Sequence, residues 1–127
     1  MPRGWALLLC TYLLGFVPIA FATELFSTLA SIGMRGTVGI AELSLHALSA
    51  IFCAVAGWML LVRAPPGPAA AGSAIIVSSI VSIQSLFWTV LPRNVAPGER
   101  LPLTAITCGH AVFWLVVLSR YARRERR

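Results

Sequence analysis

Glu42 and His46 stand four residues apart in an otherwise apolar stretch. On a helix that spacing puts a carboxylate beside an imidazole, within reach across one turn. Ser49 and Cys53 continue the same stripe at i+7 and i+11, so this face is expected to look into a helical bundle. Glu24, Gln84 and His110 are the other strongly polar residues inside apolar stretches. An ionisable side chain near the centre of a membrane helix costs about 2.5–3.5 kcal/mol, so such residues usually turn toward protein or a wet cavity.

Three chemistries can use this set. His46 and His110, on different helices, can clamp the iron of haem b from both sides. Ala47, Ala50, Gly109 and Ala111 leave room for a ring, and Arg35, Arg93 or Arg100 can pair with propionates. That would make the chain a redox or quinone-linked membrane subunit. Glu24, Glu42, His46 and His110 can instead ligate a metal ion, since imidazole with carboxylate suits Zn, Fe or Mn, although no HExxH or ExxH pattern is present. Third, Glu24 or Glu42 can carry a proton shared with a histidine, as a small proton-coupled transporter requires. Against all three stands a plainer reading, in which the polar residues pack the bundle or dock it to a larger partner. On that reading the protein is a non-catalytic accessory or assembly subunit, and this is the primary expectation from sequence.

The elements that must position these residues are four long apolar stretches. They run from about 5 to 32, 40 to 62, 69 to 91 and 103 to 119, each near the roughly 17–25 residues that cross a bilayer as a helix. Backbone amides inside lipid must be satisfied within their own segment, so the fold class is all-α, a single-domain four-helix membrane bundle. Gly and Pro gather in each break: Gly33, Gly36 and Gly39, then Pro65, Pro66 and Pro68, then Pro92, Pro97 and Pro102. Pro18 is expected to bend the first span.

Of 127 residues 58% are hydrophobic and only 11% charged, with neither Lys nor Asp, too little polar surface for a soluble domain of this size. The net charge of +6 is uneven, because five of the ten Arg lie in a basic tail at 120–127: Arg120, Arg123, Arg124, Arg126 and Arg127. Such a tail suits anionic lipid headgroups at a cytoplasmic face, and no folded basic domain accompanies it to bind nucleic acid. Counting Arg3, Arg63 and the tail against Arg35, Arg93 and Arg100 gives seven against three, which places both termini inside a cytoplasmic membrane. A competing reading takes Arg3, the apolar run to Val17 and the Ala20-Phe21-Ala22 triplet as a cleavable signal peptide.

With both termini inside, His46, Gln84 and His110 all fall roughly 9–11 Å below the outer ends of their helices at 1.5 Å per residue. Glu24 and Glu42 lie nearer the outer surface. Cys10, Cys53 and Cys108 fall at three depths with no CxxC pair, and read as packing residues. The stripe Ser78, Ser82, Ser85 and Thr89 reads as a close helix contact with hydrogen bonds across it. Gln84 is about 100° or more off that stripe.

Overall fold

The computed structural model describes residues 2–30, 33, 36–87 and 96–125. The first span is helix α1 (Pro2–Thr11), a wider π-helical turn (Tyr12–Phe16) and helix α2 (Val17–Leu29), run together without a break. Helices α3 (Gly36–Leu61) and α4 (Gly67–Phe87) follow. A single 3₁₀ turn (Pro97–Glu99) then leads into α5 (Arg100–Glu125). Four of the resulting rods, Gly4–Leu29, Gly36–Leu61, Gly67–Phe87 and Pro97–Arg123, are long and apolar enough to cross a membrane. The protein is an all-α, multi-pass membrane bundle.

Each span begins a few residues before its expected start, at Pro2, Gly36, Gly67 and Arg100. α3 begins at Gly36, because Thr37, Val38 and Gly39 extend the helix rather than the loop. α5 begins at Arg100 and takes Pro102 into its first turn, where a missing N–H costs nothing. It also runs on through the first residues of the basic tail, so Arg120 and Arg123 are helical and exposed. The Arg120 guanidinium lies 6.0 Å from the centre of the Trp5 ring, which ties the tail to the start of the chain. Arg35, Trp88, Thr89, Arg93, Arg126 and Arg127, and the side chains of Arg3 and Arg124, fall outside the described residues.

The spans pack in chain order around the bundle. The first span lies on α3, α3 on α4 and α4 on α5, and α1 closes the ring against α5. Large apolar side chains point outward in the manner of a lipid-solvated surface, Ile19, Phe26, Leu48, Ile51, Ile80 and Val112 among them. The dry core fills the half of the bundle nearest the termini. Leu9, Leu13, Cys53, Ala56, Ile75 and Val117 are central to it, with the Trp114 and Tyr121 rings alongside.

Small residues let the backbones approach there. A Cβ added to Gly57 of α3 would stand 2.9 Å from Leu13 Cβ and 2.9 Å from Leu14 Cγ of the π turn. The two buried thiols bridge the same contacts, Cys10 Sγ toward the Gly57 carbonyl at 3.8 Å and Cys53 Sγ toward the Ala74 carbonyl at 3.7 Å. The α3–α4 connection is a Schellman closure, in which Ala64 N–H donates to Met59 O at 2.9 Å and Arg63 N–H to Leu60 O at 3.1 Å. It sets Arg63 at φ 55°, a left-handed position usually given to glycine.

The break in α-helical geometry comes just before Pro18. Proline has no amide hydrogen and its ring crowds the carbonyl four residues back. The preceding turn widens, and Val17 N–H bonds to Tyr12 O, five residues away.

Gly57→Ala should therefore destabilise the protein by about 1–3 kcal/mol, since neither Leu13 Cβ nor Leu14 Cγ is a flexible chain end. Thermal unfolding in detergent against a Gly109→Ala control, where nothing lies within 4 Å of the added methyl, measures it; equal midpoints would refute the close approach.

Candidate functional site

The half of the bundle away from the termini holds a cavity of about 310 Å³. Every span contributes to it. The first span supplies Tyr12, Phe16, Ala20 and Glu24, with Val17 and Phe21 beside them; α3 supplies His46, Ser49 and Ala50; α4 supplies Ser78, Ser79 and Ser82; α5 supplies Ile106, Thr107 and His110.

The π turn explains how the first span presents so long a row. Tyr12, Phe16, Ala20 and Glu24 recur every four residues. On an unbroken α-helix, 3.6 residues per turn would let such a row drift by about 120° over its length. One π turn takes up an extra residue and cancels most of that drift. All four residues then reach the same cavity.

Glu24 and His46 face each other across the cavity wall, with Glu24 Oε2 3.8 Å from His46 Nδ1. His46 is buried and Glu24 half-buried, so a charge on either is poorly screened. The partner that α3 was expected to supply for His46 is Glu42, one turn away. Glu42 is buried on the expected stripe with His46, Ser49 and Cys53, but the carboxylate in ion-pair range across the helix contact is Glu24, and Glu42 does not line the cavity.

On the opposite wall His110 belongs to an aromatic cluster. Trp114 Nε1–H donates to His110 Nε2 at 2.9 Å, and the Tyr12 hydroxyl lies 2.9 Å from the same nitrogen. An indole nitrogen can only donate, so Nε2 carries the lone pair and Nδ1 the hydrogen of the neutral ring. Tyr12 stacks on Trp114, with ring centres 4.0 Å apart and planes 15° from parallel. Tyr12 lines the cavity, and Trp114 behind it belongs to the core.

The α4 hydroxyls bond mainly to their own helix, and Ser78 also lies in hydrogen-bonding reach of the Cys53 thiol of α3, across the contact expected from the stripe. Ser78 and Ser79 both donate to Ile75 O, Ser82 to Ser78 O and Ser85 to Ser82 O, at 2.7–3.1 Å, all within their own helix. Thr107 on α5 does the same toward Leu103 O at 2.9 Å. In lipid this is the nearest acceptor for a small hydroxyl, and it spends the proton locally. What Ser79, Ser82 and Thr107 show the cavity is oxygen lone pairs.

Gln84 shares the depth of the site but not its direction. It is half-buried away from the cavity, and its Oε1 is buried without a hydrogen-bond partner among the described residues. Tyr12, Ser79 and Thr107 were not singled out from sequence. The four-residue spacing from Tyr12 to Glu24 was the available signal for the first of them.

The described residues contain no group of three His, Cys, Asp or Glu placed to hold a metal ion, so Glu24, Glu42, His46 and His110 do not gather into one. An iron held through Nε2 of His110, as in haem b clamped by His46 and His110, would have to displace Trp114 and Tyr12 from that nitrogen, whereas a carboxylate at Nδ1 of His46 is compatible with a ligating imidazole. The chain matches no family model, no curated protein and no solved structure.

Deleting Gly15 should return the π turn to α-helical geometry and rotate Tyr12 by about 100° relative to Glu24. The Tyr12–Trp114 stack would be lost, and the near-ultraviolet circular dichroism of the aromatic rings should weaken while the far-ultraviolet helical signal stays. An unchanged near-ultraviolet spectrum would show that the π turn does not set this register.

Proposed function

We propose that the protein binds a small solute in this cavity, as a proton-coupled transporter does, with the Glu24–His46 pair as the element that exchanges a proton against it. The observation that carries the reading is a carboxylate and an imidazole facing each other in a cavity, on separate spans, within a membrane bundle. Such a pair has few stable charge states in a poorly screened site, so a charged or strongly hydrogen-bonding solute shifts its protonation. The seven-to-three distribution of Arg supports a cytoplasmic-membrane location with both termini inside, which turns the cavity toward the outer face.

The test uses Glu24→Gln, which keeps the shape of the side chain and removes its charge. Thermal unfolding of the detergent-purified protein is followed with panels of small amines, alcohols and carboxylic acids. One class should raise the unfolding temperature of the parent protein and leave that of Glu24→Gln unchanged; at a hundredfold excess over Kd the stabilisation is on the order of 3 kcal/mol. A panel in which no class stabilises the parent protein would overturn the reading.

A role as accessory or assembly subunit, alone or as a homo-oligomer, draws support from a different place. Ala105 and Gly109 lie one turn apart on the exposed face of α5, and nothing approaches within 4 Å of where a Gly109 Cβ would stand. Two such small residues allow another membrane helix to come close. Gly109→Leu should then convert the native complex in blue-native electrophoresis to the monomer, and an unchanged band would discard this docking face.

A further inference from the structure

The cavity has a chemical preference that its residues spell out. Ser79, Ser82 and Thr107 hold their hydroxyls on backbone carbonyls of their own helices, which turns acceptor lone pairs toward the cavity, and Ser49 and Ser78 add further hydroxyl oxygens. Glu24 adds an acceptor that carries formal negative charge when ionised. Phe16 and Phe21 bring aromatic rings, which attract cations, and Ala20, Ala50 and Ile106 give an apolar wall. Neither Arg nor Lys is among the described residues that line it. A site with several acceptors, one carboxylate, aromatic rings and no fixed positive charge is complementary to a donor-rich cation with an apolar body.

We infer that the cavity binds a primary organic ammonium ion, which takes the Glu24 carboxylate as His46 releases a proton to water. The inference rests on the solute-binding reading above and names the ligand class. Five titratable groups bear on the exchange. Glu24 comes from α2, His46 and the buried Glu42 from α3, His110 from α5 and Tyr12 from the π turn, while α4 presents hydroxyls. In the exchange we infer, His46 carries a proton in the solute-free protein and so balances Glu24, whose carboxylate oxygen stands 3.8 Å from Nδ1. An ammonium group arriving at Glu24 would place a second positive charge beside that imidazolium in a poorly screened site, and the imidazolium gives up its proton instead. The charge inside the bundle is the same before and after: one cation enters and one proton leaves. His110 does not compete for this role, because its Nε2 lone pair is held by Trp114 and Tyr12.

The experiment is calorimetric titration of the full chain in mild detergent with 2-phenylethylammonium, 2-phenylethanol and 3-phenylpropionate, three probes of similar shape and different charge. Each titration is run at about pH 6 and about pH 8, either side of the ordinary imidazole range, where the amine stays charged. The ammonium should bind at least tenfold tighter than the alcohol, and the propionate should not bind. Its affinity should rise with pH by up to tenfold per unit, with a proton released to the buffer. Glu24→Gln should lose tenfold or more in ammonium affinity. His46→Gln should still bind, with the pH dependence and proton release gone. If the alcohol or the propionate binds as tightly as the ammonium, the ligand class is wrong while solute binding stands. If the amine binds without proton release, the exchange is wrong. If none of the probes binds and none of the wider panel stabilises the protein, both readings fall together. Selectivity among the three probes is read on the parent protein, so it decides the ligand class whether or not a variant folds.

Discussion

Pro18 has no amide hydrogen, and the geometry of the cavity follows from that one missing donor. The turn before it opens to a π turn, with Val17 bonded back to Tyr12. The opening resets the helical phase of everything on the N-terminal side by about a residue. Tyr12 and Glu24, which a straight helix would turn away from each other, come to share one face. From this register come the Tyr12–Trp114 stack, the engagement of His110 and the place of Glu24 opposite His46. The same turn presses Leu13 and Leu14 against Gly57, and that position of α3 has no room for a side chain.

The bundle divides its labour along its length. Near the termini, small residues and buried thiols bring the helices close and leave a dry core. Farther along, serine and threonine replace alanine and glycine at the facing positions, and the first span carries Glu24 where a core helix would carry leucine. Lipid supplies no hydrophobic drive between helices, so packing has to hold the bundle together. The tight half does this, and the other half is left open enough to hold a polar cavity.

Much of this could be read in the sequence, because lipid imposes strong rules. The four spans were legible from length and hydropathy, and the inward stripe of α3 from its 3.6-residue period. His46 and His110 were legible as residues of similar depth and Glu24 as a polar residue nearer the same surface, and the fold brings all three to one cavity. The rest depended on information that periodicity does not carry. A π turn shifts phase by an amount no fixed period anticipates, which hid Tyr12. Glu42 is legible one turn along the helix from His46, but Glu24, which comes within 3.8 Å of the same ring, lies on another span where no period of α3 reveals it. The hydroxyl stripe of α4 was placed correctly for Ser78, Ser82 and Ser85, and its bonds divide between its own backbone and, for Ser78, the Cys53 thiol of α3, a choice between near and far acceptors that sequence does not express. Gln84 followed its helical phase and points elsewhere.

The ring stack of Tyr12 and Trp114 has an optical consequence. Light absorbed by Tyr12 is passed readily to an indole only 4.0 Å away, and Trp114 is itself bonded to the imidazole of His110. Trp58 faces outward and Trp5 lies beside Arg120, both apart from this stack. Energy passed from Tyr12 to Trp114 therefore carries a running record of how the Tyr12 side of the cavity is arranged, built into the chain without any added dye.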